Sequence, residues 1–178
     1  MLVPALPRPE EGEYNAYYKR YIDMVPDGDV VETLSKGIHE TLELLKSAPP
    51  EKEEYRYAEG KWSLREVVGH LIDTERLFAF RALWFARGET TPMAGMDQDA
   101  WTRHSSAGSR PLADMRWEWA GLRAANVLML GSFDAETGRR RGIASGYEVT
   151  VRALAWMMAG HEIYHRKLIR RDYLGLDP

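Results

Sequence analysis

The chain has 178 residues, 29% of them charged, with a formal net charge of −3 and a pI near 6.0. That length suits one domain with a core of its own, and the mildly acidic balance excludes a general attraction to nucleic acid, the short runs GRRRG (138–142) and RKLIRR (166–171) being local, solvated surface. The lack of cysteine removes disulfides, thiolate metal ligands and cysteine nucleophiles, and it suits a reducing cytosol.

The opening stretch MLVPALPRPEEGEY carries three prolines in its first nine residues and no basic segment, so it reads as no secretory signal. No stretch approaches the ~20 consecutive apolar residues of a membrane span. A soluble, cytoplasmic protein is expected. Residues 1–28, with Tyr14, Tyr17, Tyr18, Tyr21 and Ile22, read as an aromatic arm or short helix laid on the outside of the domain as a cover over apolar surface. The domain itself is expected at 29–175.

Four amphipathic helices follow. In the first, residues 29–47, Val31, Leu34, Ile38, Thr41 and Leu45 alternate at spacings of three and four, and the prolines of SAPP end it. The second opens at Ser63 with Glu66 three residues on, a capping box with Trp62 in the staple position, and closes at Gly88. Pro111 suits the first turn of the third, whose seam carries Leu112, Met115, Trp119, Leu122, Asn126 and Met129 before Gly131. Thr150 can cap the fourth, which runs to about Tyr173. Neither long connection, 88–110 or 131–149, shows the alternation of a strand. The fold class is therefore all-α, an antiparallel four-helix bundle with long connecting loops.

The fourth helix contains GHEIYH. Leu154, Met158, His161, His165 and Leu168 fall within about 80° of helix circumference, so the two histidines occupy the buried stripe where leucine would otherwise stand. Two imidazoles buried without partners are costly, whereas one cation would satisfy both. H-E-x-x-H is also the zinc-peptidase signature, but that class takes its third ligand from downstream. Only thirteen residues follow His165, with Asp172 and Asp177 as the sole candidate ligands, so the peptidase reading fails and a third ligand must lie upstream.

His70, on the second helix, admits two readings of equal weight: a third ligand, or a core histidine bonded to a carbonyl. His39 is expected to face water, and His104 to sit exposed in the 88–110 loop, where Trp101 is expected to pack as an anchor.

GKWSLREVVGHLIDTERLFAFRAL (60–83), MDQDAW (96–101) and TVRALAWMMAGHEIYHRKLI (150–169) together resemble the DinB-like superfamily, in its branch of YfiT-type metal-dependent hydrolases and thiol transferases. The resemblance covers about 29–174. It implies a four-helix bundle, a homodimer, and three histidines on a divalent metal, zinc or nickel. Carried over position by position, those ligands are His70, His161 and His165. Glu162 stands where the family often shows aspartate.

The resemblance implies a small-molecule substrate and two reaction types: hydrolysis, or transfer of a low-molecular-weight thiol to an electrophile. The alternative is a non-catalytic, metal-binding, stress-related bundle. Glu162 is the candidate catalytic base, although it points about 100° away from His161 around the helix and could instead serve as surface or as an anchor behind the ligands. Glu75, on the main seam of the second helix, must be paired, either orienting a histidine N–H or bonding an arginine. Asn126 on the third seam either fixes helix register or lines the cavity.

Overall fold

The structure is a computed structural model that describes residues 6–177. Its helices are α1 (Lys19–Ile22), α2 (Val30–Lys46), α3 (Leu64–Ala86), α4 (Gln98–His104), α5 (Leu112–Gly131), α6 (Ala135–Arg139) and α7 (Val151–Leu168), the last running into a π turn at Ile169–Tyr173. The bundle consists of α2, α3, α5 and α7. Asp29 caps α2, Ser63 and Glu66 close their capping box at the head of α3, and Thr150 Oγ1 accepts from the Ala153 amide to start α7. Every residue from Val151 to Glu162 is buried, which places α7 at the centre of the molecule.

The chain path corrects the antiparallel expectation. Val31 lies beside Gly131 while the Leu34 carbonyl meets Arg123, so α2 and α5 run in opposite directions. His70 faces His165 and Phe78 faces His161, which makes α3 and α7 antiparallel as well. By contrast, Gly37 meets Glu162 and Glu40 pairs with Arg166, so α2 and α7 run parallel. So do α3 and α5, since Gly69 adjoins Met115 and Glu75 reaches Trp119 and Asn126. Because α3 and α5 share a direction, the chain after α3 must travel back along a helix of 23 residues, about 35 Å. The long 87–111 connection makes that return.

A second correction concerns the 131–149 connection. It holds a β-hairpin, β1 (Arg141–Ala144) paired with β2 (Tyr147–Thr150), turning at Ser145 and Gly146 with φ of +56° and +81°. Two central residues with positive φ make the tight turn that matches strand twist, so the SG dipeptide was the local signal. Met93 bonds the hairpin twice, its N–H donating to the Ile143 carbonyl and its carbonyl accepting from the Ser145 N–H, which ties the 88–97 segment to the hairpin.

Residues 6–28 are built into the core as well as lying over it. Leu6, Ile22 and Val25 belong to the same buried cluster as Phe78, Phe85, Leu154 and Trp156. The Trp156 indole donates to the Leu6 carbonyl, and Glu13 forms a buried ion pair with Arg152. Trp156, Met157 and Met158 are core residues. α1 docks on α7 at Gly160, where any Cβ would lie 2.1 Å from the Tyr21 carbonyl oxygen. Only glycine allows that approach, and it sits one residue before His161.

Candidate metal centre

Helix periodicity aims His161 and His165 from α7 toward α3, and the antiparallel pairing of the two helices brings His70 opposite them. One ligand atom from each histidine can be chosen so that all three lie within 4.8 Å of one another. His70 Nε2 and His161 Nε2 are 3.2 Å apart. Two imidazole nitrogens bound at 2.0–2.1 Å to a common ion stand about 3.0–3.4 Å apart at ordinary coordination angles, so this pair is already spaced for a cation.

Burial sets the electrostatics of the three rings. It lowers the His70 pKa to about 4, against a small opposing pull from Asp99. It lowers that of His165 to about 3, helped by His70 and Arg20. His161 is pushed well below the ordinary histidine value by burial first, then by His165, His70 and Arg20. All three are therefore neutral at pH 7, the protonation state that a metal ligand requires.

The hydrogen bonding is incomplete. His165 Nδ1 is buried with no partner, and the Nε2 atoms of His70 and His161 meet only each other's ring, one donating and the other accepting. A divalent cation bound by nitrogen lone pairs would complete the set, so the residues fit the metal that the donor chemistry implies.

Aromatic side chains wall the cluster. The Trp62 ring lies 4.9 Å from that of His70 and the Tyr21 ring 5.4 Å from that of His161. The N-terminal arm is thus a wall of the site, beyond the cover expected from its composition. Thr74 Oγ1 stands 3.4 Å from His70 Nδ1, one turn along α3. With Nε2 turned to a cation, Nδ1–H would donate to this hydroxyl and fix the tautomer.

Thr74 thereby holds the place considered for Glu75. Glu75 instead accepts from the Trp119 indole at 2.6 Å, from Arg123 at 2.7 and 2.8 Å and from Asn126 at 3.0 Å. Asn126 is accordingly a support for this carboxylate. Glu162 accepts from Thr41 Oγ1 at 2.7 Å and from Arg123 at 2.7 Å. The candidate base is therefore engaged: both its oxygens accept hydrogen bonds inside the bundle, and of the cavities at the histidines it lines only a void of about 10 Å³ beside His161, too small for a substrate.

Those cavities meet the cluster from two sides. One of about 260 Å³ touches His70 and His161 and extends past Thr74 and Phe78 to Arg81. The other, of about 420 Å³, touches His165 and is lined by Arg20, Tyr57, Lys61 and Tyr164. Tyr17, Tyr21 and Gln98 line both. His39 and His104 are exposed and away from the cluster, His104 bonding the Ala100 carbonyl through Nδ1. Trp101 is 45% exposed, so it does not anchor the loop as expected. The signal for the aromatic wall was the YNAYYKRYI run, but composition alone cannot say which face of an aromatic segment meets a pocket.

The model of the DinB superfamily matches residues 33–169. The chain belongs to the DinB superfamily. Among solved structures, this DinB chain is similar to YfiT from Bacillus subtilis, a probable metal-dependent hydrolase with an unusual four-helix bundle topology. The TM-score is 0.69 at 18% identity, over 95% of this chain and 94% of that one. It is also similar to a mycothiol-dependent maleylpyruvate isomerase, with a TM-score of 0.67 at 13% identity over 85% of this chain, spanning 62% of that longer protein. At these identities the likeness is one of fold. Among curated proteins no sequence matches significantly. No helix among the described residues is long and apolar enough to cross a membrane.

Proposed function

We propose that this DinB protein is a metal-dependent enzyme acting on small molecules, with His70, His161 and His165 holding one divalent cation, zinc or nickel. The observation that carries the reading is the convergence of three buried, neutral imidazoles whose hydrogen bonding the protein leaves incomplete. When bound, a cation with three histidine ligands and open positions activates water, polarises a carbonyl or holds a thiolate. The chain's own residues supply the rest. Thr74 orients His70, Trp62 and Tyr21 exclude water from two flanks, and the two cavities admit reactants to the open side.

Hydrolysis is the first reading, in keeping with the fold shared with YfiT. Transfer of a low-molecular-weight thiol is the second, and one feature favours it: two separate cavities reach the cluster, as a reaction of two substrates needs. The fold shared with a mycothiol-dependent isomerase points the same way. A cytosolic homodimer without nucleic-acid or membrane partners completes the proposal.

The test begins with metal analysis of protein purified without an affinity tag. One divalent ion per chain is expected, falling to none in His161→Ala. Turnover of 4-nitrophenyl acetate, with and without added thiol, then separates hydrolysis from transfer. Absence of stoichiometric metal, with a melting temperature that chelator leaves unchanged, would reject the proposal.

A further inference from the structure

Three arginines are buried among the described residues: Arg81, Arg123 and Arg152. Arg123 is paired with Glu75 and Glu162, and Arg152 with Glu13. Arg81 is only 2% exposed, yet among the described residues it is paired with no acidic side chain. Of its nitrogens, Nη2 donates to the Ala94 carbonyl at 2.6 Å and to Ser145 Oγ at 3.1 Å, while Nε is buried with no acceptor at all. An unpaired buried guanidinium is costly to keep in a fold, and burial holds its pKa below the usual arginine value. The protein has nevertheless placed it on the wall of the cavity that reaches His70 and His161.

Its position along α3 is also informative. Arg81 follows His70 by eleven residues, about three turns, so the two share a face some 16 Å apart along the helix axis. Because side chains on a helix lean toward its N-terminus, the guanidinium is carried back toward the histidines. At about 260 Å³ the cavity between them falls below the ~300–1,000 Å³ of sites for drug-sized ligands, so its occupant is a small metabolite.

We propose that Arg81 anchors a carboxylate of the substrate, so that this cavity takes a small, elongated carboxylic acid whose other end lies at the three histidines. A carboxylate would complete the buried guanidinium that has no acidic partner among the described residues, and the fork of N–H donors on arginine matches its oxygens. The 88–97 segment, tied to the β-hairpin, holds the guanidinium in place through Ala94 and Ser145. The inference rests on the metal reading only for the reactive end of the substrate; the anchor itself needs no cation.

Calorimetric titration with glutarate tests it, using glutaramide as the neutral isostere and inorganic phosphate as a general anion. Metal-loaded wild type is expected to bind glutarate, and Arg81→Gln to bind it at least tenfold more weakly, with Arg81→Lys in between. Glutaramide should show no dependence on position 81. The unliganded Arg81→Gln protein should melt at or above the wild-type temperature, because it loses an unpaired buried charge. A purely structural arginine would instead lower the melting temperature in both variants and leave glutarate affinity unchanged, which overturns the proposal. Phosphate binding as tightly as glutarate through Arg81 would overturn the carboxylate assignment. Glutarate binding that depends on Arg81 in a protein holding no metal would support the anchor while removing the metal reading; one-to-one metal with no effect of Arg81→Gln would do the reverse.

Discussion

Two polar clusters lie side by side in the bundle, and adjacent residues of α7 belong to different ones: His161 to the imidazole cluster, Glu162 to the group built around Arg123. Both are buried, yet they are finished differently. Arg123, 1% exposed, donates to Glu75, to Glu162 and to the Leu34 carbonyl, and Glu75 also accepts from Trp119 and Asn126. Burial alone would ease the proton from Arg123, but the two carboxylates hold its pKa above the usual value. This network joins α2, α3, α5 and α7 and is closed. The histidine cluster is open, with an orphaned Nδ1 on His165 and a shared contact between His70 and His161. Since buried polar groups are nearly always satisfied, the closed cluster has the form of a structural tie and the open one the form of a binding site.

Breaking the closed cluster should have the largest effect. Arg123→Met leaves two buried carboxylates uncompensated and should cost about 3–5 kcal/mol of unfolding free energy, measured by urea denaturation. Replacing all three members together by Met and Gln should cost far less, and equal losses in the two variants would mean that the pairing contributes nothing.

The open cluster should gain from its ligand. With free metal at about a hundred times its dissociation constant, stability should rise by about 2.7 kcal/mol, and the gain should vanish in His70→Ala. Calorimetric melting with and without added zinc checks this, and a gain that persists in the variant would locate the metal elsewhere.

Acid should separate the clusters next. In metal-free protein the histidines have folded-state pKa values below the ~6.5 of the unfolded chain. Protons therefore favour the unfolded state as pH falls. Stability should be full above about pH 6.5 and decline below it, by up to about 1.4 kcal/mol per pH unit for each histidine, toward the His70 value of about 4. Denaturation profiles between pH 7 and 5 report the slope, and a flat profile would mean rings that are solvated rather than buried.

Ser63→Ala, which removes the α3 capping box far from the Arg123 network, should cost about 1 kcal/mol and leave metal stoichiometry intact. Loss of metal in that variant would show that the placement of His70 depends on the helix start.

Much of this was legible in the chain. The four long helices follow from their stripes and caps, because local signals such as Ser63 with Glu66, Thr150, and the prolines after Ser47 act within a few residues. His161 and His165 could be placed together because helix periodicity fixes their relative direction. The third position, His70, needed the family resemblance, since the stripe it occupies on α3 is apolar in two directions. Glu162 illustrates the limit: its sequence position beside His161 suggested a base, but on a helix the next residue points about 100° away, and there it met Arg123 from α5.

By itself the sequence determined the four long helices, where they begin and end, and which face of the last carries histidine in place of leucine, because those properties depend on periodicity and on caps acting over one turn; the short helices α4 and α6 lie in segments it read as loops. Only the tertiary structure decided that α2 runs parallel to α7, that a tyrosine segment walls the histidines, and that Arg123 has acidic partners while Arg81, equally buried, has none among the described residues. These depend on which helices become neighbours, and neighbour choice is set by summed burial over the whole bundle, which no local window of sequence contains.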